Sequence, residues 1–294
     1  PQRGWDTVTT PGAVAGWVAL SERFGKLPFA DLMEPAIELA ERGHGVGIIV
    51  ANKWARQVPA LQNQPGYAEA FLPRGRAPLA GERFVFTEAG ATLRKIAESK
   101  GESFYRGEIA EKLVAHAAAH GGSMTLADLA AYAPEWVTPI QKDFAGHTLH
   151  EIPPNGQGIA ALMALGMLDK LGLGSMPVDS IESQHLQIEA MKLAFADTYR
   201  WVADARYMTD VSAADLLSNG YLSERAKLIR TDRASTFAHG TPPKGGTVYL
   251  TAADESGRMI SFIQSNYMGF GSGIVVPSTG VSLQNRGHGF TLQD

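Results

Sequence analysis

The chain contains no cysteine among its 294 residues. This excludes disulfide bonds, zinc sites built on thiolates and a cysteine nucleophile, and it is compatible with any redox compartment. Long apolar runs are also missing, since none reaches the roughly 18 residues that a membrane-spanning helix needs. Runs of Lys and Arg are absent too, and the net charge is −4. We therefore expect neither a nucleic-acid surface nor a membrane span.

The composition is that of a folded protein with a sizeable core. Hydrophobic residues make up 45% of the chain and charged residues 19%, so disorder is not expected. The length fits one large domain or two ordinary ones. No signal segment is visible at the start, and the compartment, cytoplasmic, periplasmic or secreted, cannot be read.

Apolar periodicity predicts helices over much of the chain. The first helix is predicted to have a Thr10 cap with Pro11 at its first position, and to end at Gly25. Pro35 predicts a break or a new first turn within residues 29–42. Further helices are predicted over residues 87–99 with a Thr87 cap, 108–120, 126–132 after a Thr125–Asp128 capping box, 159–171, 181–202, 213–217 and 222–230.

Other features of the pattern have structural interpretations. Residues 136–144 and 147–152 are predicted strands. Trp17 and Trp54 are expected in the core or an interface. Within residues 181–202 we expect one helix face to be buried, and it consists of Ile181, His185, Ile188, Met191 and Phe195. His185 is expected to be a buried histidine whose ring nitrogens are hydrogen-bonded.

One pair of histidines has a spacing that can bind a metal. His116 and His120 are four residues apart on a predicted helix, as in many zinc sites. No third acidic or histidine ligand lies nearby in the sequence. Solvated histidines near a helix C-terminus are a sufficient interpretation, so no metal site and no cofactor is predicted.

Residues 242–285 carry the chemistry that the sequence indicates. Two alternating runs flank the turn at residues 254–257, a pattern typical of a hairpin. The first run follows Gly245, Gly246 and Thr247 directly. A cut between Gly246 and Thr247 would make the threonine hydroxyl a nucleophile and its freed α-amine the general base.

A plainer interpretation of the same residues also exists. Gly-Gly-Thr can simply lead into a strand, and most such triplets do no more. Residues 231–246 are rich in Thr, Ser, Pro, Gly and Lys, which is typical of a linker. A linker is compatible with cleavage and with an ordinary loop, so the local pattern does not decide between these two interpretations.

Several motifs together resemble the γ-glutamyltranspeptidase family. After Thr247 come Asp254-x-x-Gly257, then Phe-Gly-Ser-Gly at 270–273, then Gly280-x-x-Leu-x-Asn285. Upstream matches lie at residues 10–16, 121–132, 153–158 and 189–197. The resemblance implies an N-terminal-nucleophile (Ntn) hydrolase, made as one chain and cut before Thr247. It also implies an α+β fold, an αββα sandwich of two stacked antiparallel sheets flanked by helices, where the pattern alone predicts only a mixed α/β chain.

The resemblance further implies how the chain is divided. Residues 1–246 would be the C-terminal part of a large-subunit region and residues 247–294 the start of a small-subunit region. These would form one structural domain, incomplete at both ends. The oxyanion-hole residues of the family would lie beyond this chain.

Three further positions match substrate-binding positions of the family. Ser265 matches a threonine that bonds the nucleophile, and its hydroxyl can keep that role. Tyr267 stands where the family has an asparagine. Arg286 stands where it has Gln or Glu, and Gly289 replaces the aspartate that grips a substrate amine. Arginine favours carboxylates. With Leu-Gln-Asn-Arg-Gly at residues 283–287, the chain resembles the acylase-like branch of the family.

The sequence thus predicts a self-processing amidohydrolase or acyltransferase acting on a small carboxylate-bearing amide. Val248 and Tyr249 replace a threonine and a frequent histidine of the transpeptidases, which puts γ-glutamyl specificity in doubt. One alternative is a true γ-glutamyltransferase or glutathione hydrolase. Another is an unprocessed, non-catalytic relative acting as a binding protein. The expected partners are a small-molecule amide, the two pieces of the precursor and possibly a second copy in a homodimer.

Overall fold

The computed structural model describes residues 1–237 and 248–290. Its helices are α1 Ala13–Phe24, α2 Phe29–Arg42, α3 Ile48–Leu61, α4 Tyr67–Phe71, α5 Thr87–Ser99, α6 Glu102–Arg106, α7 Glu108–Ala119, α8 Leu126–Ala130, α9 Ile159–Lys170, α10 Ile181–Trp201, α11 Ala213–Leu216 and α12 Asn219–Ala226. Its strands are β1 His44–Gly45, β2 Arg83–Phe84, β3 Ile140–Phe144, β4 His147–Glu151, β5 Val248–Ala253, β6 Met259–Gln264, β7 Val275–Val276 and β8 Val281–Ser282.

The strands of this part of the chain form two-stranded antiparallel ladders, β1 with β2, β3 with β4, β5 with β6 and β7 with β8. The mixture of helices and antiparallel ladders confirms the predicted α+β class. Residues 1–134 and 244–294 form one compact unit, and residues 135–243 form a second. The division into subunit regions at residue 246, within one structural domain, stays a prediction.

The start of α1 differs from the prediction. Gly12, not Thr10, is the N-cap residue, and it makes no side-chain cap. The hydroxyl of Tyr105 takes over: it donates to the carbonyl of Pro11 at 2.8 Å and accepts from the amide of Ala15 at 3.1 Å. The first turn of a helix has amides without intrahelical partners, and a residue distant in sequence satisfies one of them here.

Two other helix predictions were wrong in detail and one is confirmed. Helix α2 runs through Pro35 without a break, because Pro35 is on the exposed side, where losing one backbone bond is tolerated. Thr87 lies inside α5, whose N-cap residue is Phe86. The capping box is confirmed, since Thr125 accepts from the Asp128 amide at 3.2 Å and Asp128 accepts from the Thr125 amide at 2.8 Å.

The first unit has two apolar clusters, and strand β7 contributes a residue to each. One cluster packs α7 and its neighbours against Ile274, Val276 and Leu283. The other is aromatic and surrounds α3, a helix that the sequence analysis did not predict. Its buried members are Val46, Trp54, Leu61, Tyr67, Phe71, Leu72, Ala77, Phe84 and Val275, with Phe270 packed against them. Trp54 is thus buried, as expected.

The second unit packs α10 and α12 against α9, which is buried along most of its length. The predicted apolar face of α10 was wrong, because Ile181 is 84% exposed and Ile188 is 58% exposed. The buried face instead combines two leucines with small and polar residues: Ser183, Leu186, Glu189, Ala190, Leu193, Ala194, Ala196, Asp197 and Thr198. Close approach to α9 favours this alanine-rich face over the bulkier one.

Candidate active site

The predicted hairpin is confirmed. Strands β5 and β6 pair from Val248 opposite Gln264 to Ala253 opposite Met259. In the turn the Asp254 carboxylate accepts from the amides of Ser256 at 3.0 Å and Arg258 at 3.1 Å. The bond from the Ser256 hydroxyl, together with these amides, holds the pKa of Asp254 below its ordinary value.

The predicted nucleophile and cleavage site, Thr247 and Gly246, lie outside the described residues. Strand β5 begins at the next residue, Val248, and the register places Gln264 opposite it. Ser265 follows Gln264 directly. The side-chain amide oxygen of Gln264 accepts a bond of 2.8 Å from the indole of Trp17 in α1, so the end of β6 is fixed against α1.

The residues after β6 form a tight, strained turn. The Ser265 hydroxyl accepts from the backbone amide of Tyr267 at 2.9 Å. Tyr267 has φ 73°, a left-handed conformation that a bulky residue rarely adopts. The turn therefore fixes the direction of the Tyr267 side chain, although it does not test the predicted role of Ser265 or of Tyr267.

Arg286 and Tyr267, two predicted substrate-binding residues, are close to each other. The guanidinium carbon of Arg286 lies 6.0 Å from the centre of the Tyr267 ring, within cation–π range. The His288 ring lies 6.3 Å from the same ring. Within residues 1–237 and 248–290, no carboxylate lies within ion-pairing distance of Arg286, whose side chain is exposed. This arrangement presents an uncompensated guanidinium beside an aromatic face.

Two residues that the sequence analysis quoted only as motif members hold this arrangement together. Asn285 is fully buried; its side chain accepts from the Met268 amide at 3.1 Å and donates to the Gln2 carbonyl at 2.9 Å. Gln284 donates to the Thr9 carbonyl at 2.9 Å and accepts from the backbone amide of Arg286. Both belong to the motif Leu-Gln-Asn at residues 283–285, and this motif was the signal in the sequence that could have identified them.

The glycine-rich part of the motif allows close backbone packing. Gly271 has φ 55°, and a side chain there would come within 2.2 Å of the Leu283 carbonyl. The Ser272 hydroxyl donates to that same carbonyl at 2.9 Å. Arg3 donates to the carbonyls of Gly269, at 2.9 Å, and of Gly271. The first residues of the chain thus brace the loop that follows Tyr267.

The histidine pair of α7 has no metal-site geometry around it. The rings of His116 and His120 are 4.2 Å apart, and burial together with the His120 charge lowers the pKa of His116. No group of three or more histidine or acidic side chains that could hold a metal occurs in the described part of the chain. The candidate site is the arrangement at residues 264–288: a hydroxyl, an aromatic ring and a cation without an ion-pair partner in the described part of the chain.

A sequence model of the family described as gamma-glutamyltranspeptidase matches residues 1–294. This chain belongs to the γ-glutamyltranspeptidase family. Relatives include the oxamate amidohydrolase proenzyme of Klebsiella pneumoniae, 38% identical over 99% of this chain and 56% of its own. The glutathione hydrolase-like YwrD proenzyme of Bacillus subtilis is 34% identical over all of this chain and 56% of its own.

A solved structure, cephalosporin acylase from Bacillus halodurans, is 46% identical, with a TM-score of 0.91 over 99% of this chain and 54% of that one. The solved relatives have the Ntn hydrolase fold, which confirms the predicted fold class. The chain spans about half the length of the curated relatives it matches. None of its described helices is long and apolar enough to cross a membrane.

Proposed function

We propose that this chain is part of a self-processing amidohydrolase that is cut between Gly246 and Thr247. In this proposal the Thr247 hydroxyl attacks the substrate's amide carbonyl, and the threonine's own α-amine accepts the proton. The carbon–nitrogen bond breaks, the amine leaves with a proton, and an ester to Thr247 remains. Water then releases the acid. Relatives named as proenzymes support processing of the precursor.

The substrate that we propose is a small amide bearing a carboxylate. The observation that carries this is the position of Arg286, exposed, beside the Tyr267 ring and without a carboxylate partner among the described residues. A guanidinium binds a carboxylate with two parallel bonds. With glycine at 289, the aspartate that would hold a substrate amine is missing. We therefore propose hydrolysis of an amide with an acidic acyl or amine part, not transfer of a γ-glutamyl group.

Processing is tested on the full-length protein by a denaturing gel and by N-terminal sequencing of the smaller band. We expect that band to begin Thr-Val-Tyr-Leu. The Thr247→Ala variant should stay as one band, whereas Thr247→Ser, which keeps a hydroxyl, should still be cut. A single wild-type band that stays intact on long incubation would overturn the proposal and favour a non-catalytic binding protein.

Carboxylate recognition is tested by steady-state kinetics with a carboxylated amide and its uncharged methyl ester analogue. Arg286→Ala should raise KM for the acid by at least roughly tenfold, because a bond to a charged group is lost, and should barely affect the ester. Arg258→Ala, which removes an exposed arginine in the hairpin turn, is the matched control. An unchanged KM for the acid in Arg286→Ala would contradict this assignment.

Glutathione hydrolysis is a second candidate, favoured by the glutathione hydrolase-like relative. A γ-glutamyl anilide separates the two, since the proposed enzyme should cleave a carboxylated amide without an α-amine faster than it cleaves this anilide. For either substrate the rate should fall as the pH drops through roughly 7 to 8, because the α-amine base must be neutral. A pH-independent rate across that range would argue against the N-terminal amine as base.

A further inference from the structure

A groove of about 590 Å³ lies in the first unit and is lined in part by the loop that carries Tyr267. One wall is helix α3, which contributes Lys53, Arg56 and Gln57. The other wall includes Asn266, and the floor is aromatic. This volume is in the range of pockets that hold one small molecule.

The wall on α3 is positively charged. Lys53 and Arg56 are three residues apart, and such residues are neighbours on one helix face. Both are exposed, and neither makes an ion pair within residues 1–237 and 248–290. No acidic residue is among those lining the groove. In a chain with net charge −4, these two side chains form a local positive patch.

Amide groups supplement the two cations. The side-chain oxygen of Gln57 accepts from the Arg3 guanidinium at 3.3 Å, which leaves its NH₂ group available to a ligand. Asn266 accepts from the backbone amide of Asn285 at its own backbone carbonyl. Its side chain makes no bond to the described residues and is also available. Groups of this kind orient a ligand and add specificity in otherwise apolar pockets.

The floor is made of aromatic rings that pack edge to face or tilted against one another. The ring of Phe270 lies 5.0 Å from that of Phe71 and 5.5 Å from that of Trp54. Phe270 has φ 59°, a costly conformation for this residue type that persists only when the surroundings hold it. With Tyr267 it makes two such residues in one short loop. Strain of this kind clusters at ligand sites.

We propose that this groove binds a small carboxylate attached to a flat apolar group, such as an aryl carboxylate. The carboxylate is held by Lys53 and Arg56, and the apolar body lies over Phe270 and Phe71. Asn266 stands between Ser265 and Tyr267 in the sequence, so the ligand is either the remote part of an amide substrate or a separate acid. Either ligand would present the same two groups to the groove, a carboxylate and an apolar body.

Binding is tested by titration calorimetry of the full-length protein with phenylacetate, 2-phenylethanol and acetate. We expect saturable binding of phenylacetate, with the neutral alcohol and the ringless acid each weaker by at least roughly tenfold, because each lacks one of the two recognised groups. Binding should weaken as salt is raised, since the cations are exposed. The measurement does not depend on amide hydrolysis and stands if the proposed reaction fails.

The double variant Lys53→Met and Arg56→Met should weaken phenylacetate binding at least roughly tenfold, because it removes both cations. The matched control, Lys26→Met with Arg83→Met, changes the net charge equally and should bind as the wild type does. Equal losses in both variants, equal binding of phenylacetate and 2-phenylethanol, or no saturable binding would each overturn the proposal. Competition with a carboxylated amide identifies the groove as part of the substrate site, and non-competition identifies a separate acid site.

Discussion

Asn285 illustrates how one side chain organises the candidate site. It is fully buried and joins the loop after β6 to the beginning of the chain through Met268 and Gln2. A buried amide with both its oxygen and its nitrogen engaged is a fixed point, because every alternative orientation leaves a polar group unsatisfied. Arg286 follows Asn285 in the chain, and Tyr267 precedes Met268, so the bonds of Asn285 help to position both residues.

We therefore expect Asn285→Ala to lower the free energy of unfolding by about 2 to 3 kcal/mol, because it strands the Met268 amide and the Gln2 carbonyl. The measurement is the midpoint of denaturant unfolding. Asn63→Ala, an exposed asparagine of the same unit, is the control and should change stability little. A loss no larger than that of the control would mean that water replaces Asn285 without cost.

Residue-level prediction from the sequence succeeded where partners are close along the chain. The Thr125–Asp128 capping box and the turn at Asp254 involve residues two to four apart, so their chemistry is visible in the sequence. The Tyr105 hydroxyl that caps α1 is 90 residues from Ala15, and no local pattern can announce it. The family motif gave the position of Arg286, but only the folded chain places it beside Tyr267.

At the scale of elements, helix α10 holds the segment that follows α12. The side chain of Glu189 is only 2% exposed; it accepts from the Lys192 ammonium at 2.5 Å and from the Ser235 amide at 2.7 Å. Burial acts to raise the pKa of Glu189, but the bonds from Lys192 and Ser235 outweigh it and the pKa is lowered. Lys192 also lies 5.6 Å from the Phe237 ring.

Hydrogen exchange can detect this attachment. In the wild type the Ser235 amide should be protected, and in Glu189→Ala it should exchange at least roughly tenfold faster, because its acceptor is gone. The Val202 amide, bonded to the Thr198 carbonyl at the end of α10, is the internal control and should not change. Equal acceleration at both amides would indicate general loosening of the helix and not a specific attachment.

The connector between α4 and β2 is held by one acidic residue. Glu82 accepts from Arg76 at 2.8 and 2.9 Å and from the Leu79 amide at 2.8 Å. The Arg76 bonds, then the Leu79 amide, lower the pKa of Glu82 to about 2. A carboxyl whose pKa is depressed on folding stabilises the fold above its unfolded pKa and loses that contribution as the pH falls towards the folded value.

The contribution of Glu82 should therefore be complete above pH 4.5 and disappear between about 4.5 and 2. We expect unfolding midpoints of Glu82→Gln to fall less steeply than those of the wild type over that window. The comparison is made by thermal unfolding at several pH values. Glu88→Gln, an acidic residue at the start of α5 with no ion pair in the described residues, is the control. Parallel curves for Glu82→Gln and the wild type would contradict the assignment.

Helix α10 was predicted with the wrong buried face, and helix α3 was not predicted, for the same physical reason. Ile181 and Ile188 are apolar, yet they are exposed, because contact with α9 selects the side with small residues. Helix α3 places Ile48 and Ile49 on its exposed surface, so its apolar pattern is not that of an ordinary amphipathic helix. Apolar periodicity indicates which side of a helix could be buried. The side that is in fact buried depends on the element that packs against the helix.

At the scale of the whole molecule, the β5–β6 hairpin exposes several large apolar side chains. Met259 is 83% exposed and Ile263 is 62% exposed, and the other exposed apolar residues of the hairpin are Tyr249, Leu250 and Ile260. In the described part of the chain, neither strand has a second partner. Exposed apolar strands with open edges favour association.

We expect Ile263→Lys to reduce the association of the chain of residues 1–294, because a charge on an open strand discourages edge pairing. Light scattering at increasing protein concentration measures the effect. Val178→Lys replaces another exposed apolar residue, in the second unit, and should change scattering little. If both variants reduce scattering equally, net charge and not the hairpin controls association.

The bracing of the late residues by the chain's first residues has a further consequence. Gln2, Arg3, Thr9 and Trp17 bond to residues 264–285, so these bonds cross the proposed cleavage point. After a cut before Thr247 the same bonds would join two separate polypeptides, and their survival would depend on a dissociation constant. Dilution alone, without heat or denaturant, would then become a way to dismantle the site, and lifetime at nanomolar concentration would measure how firmly it is assembled.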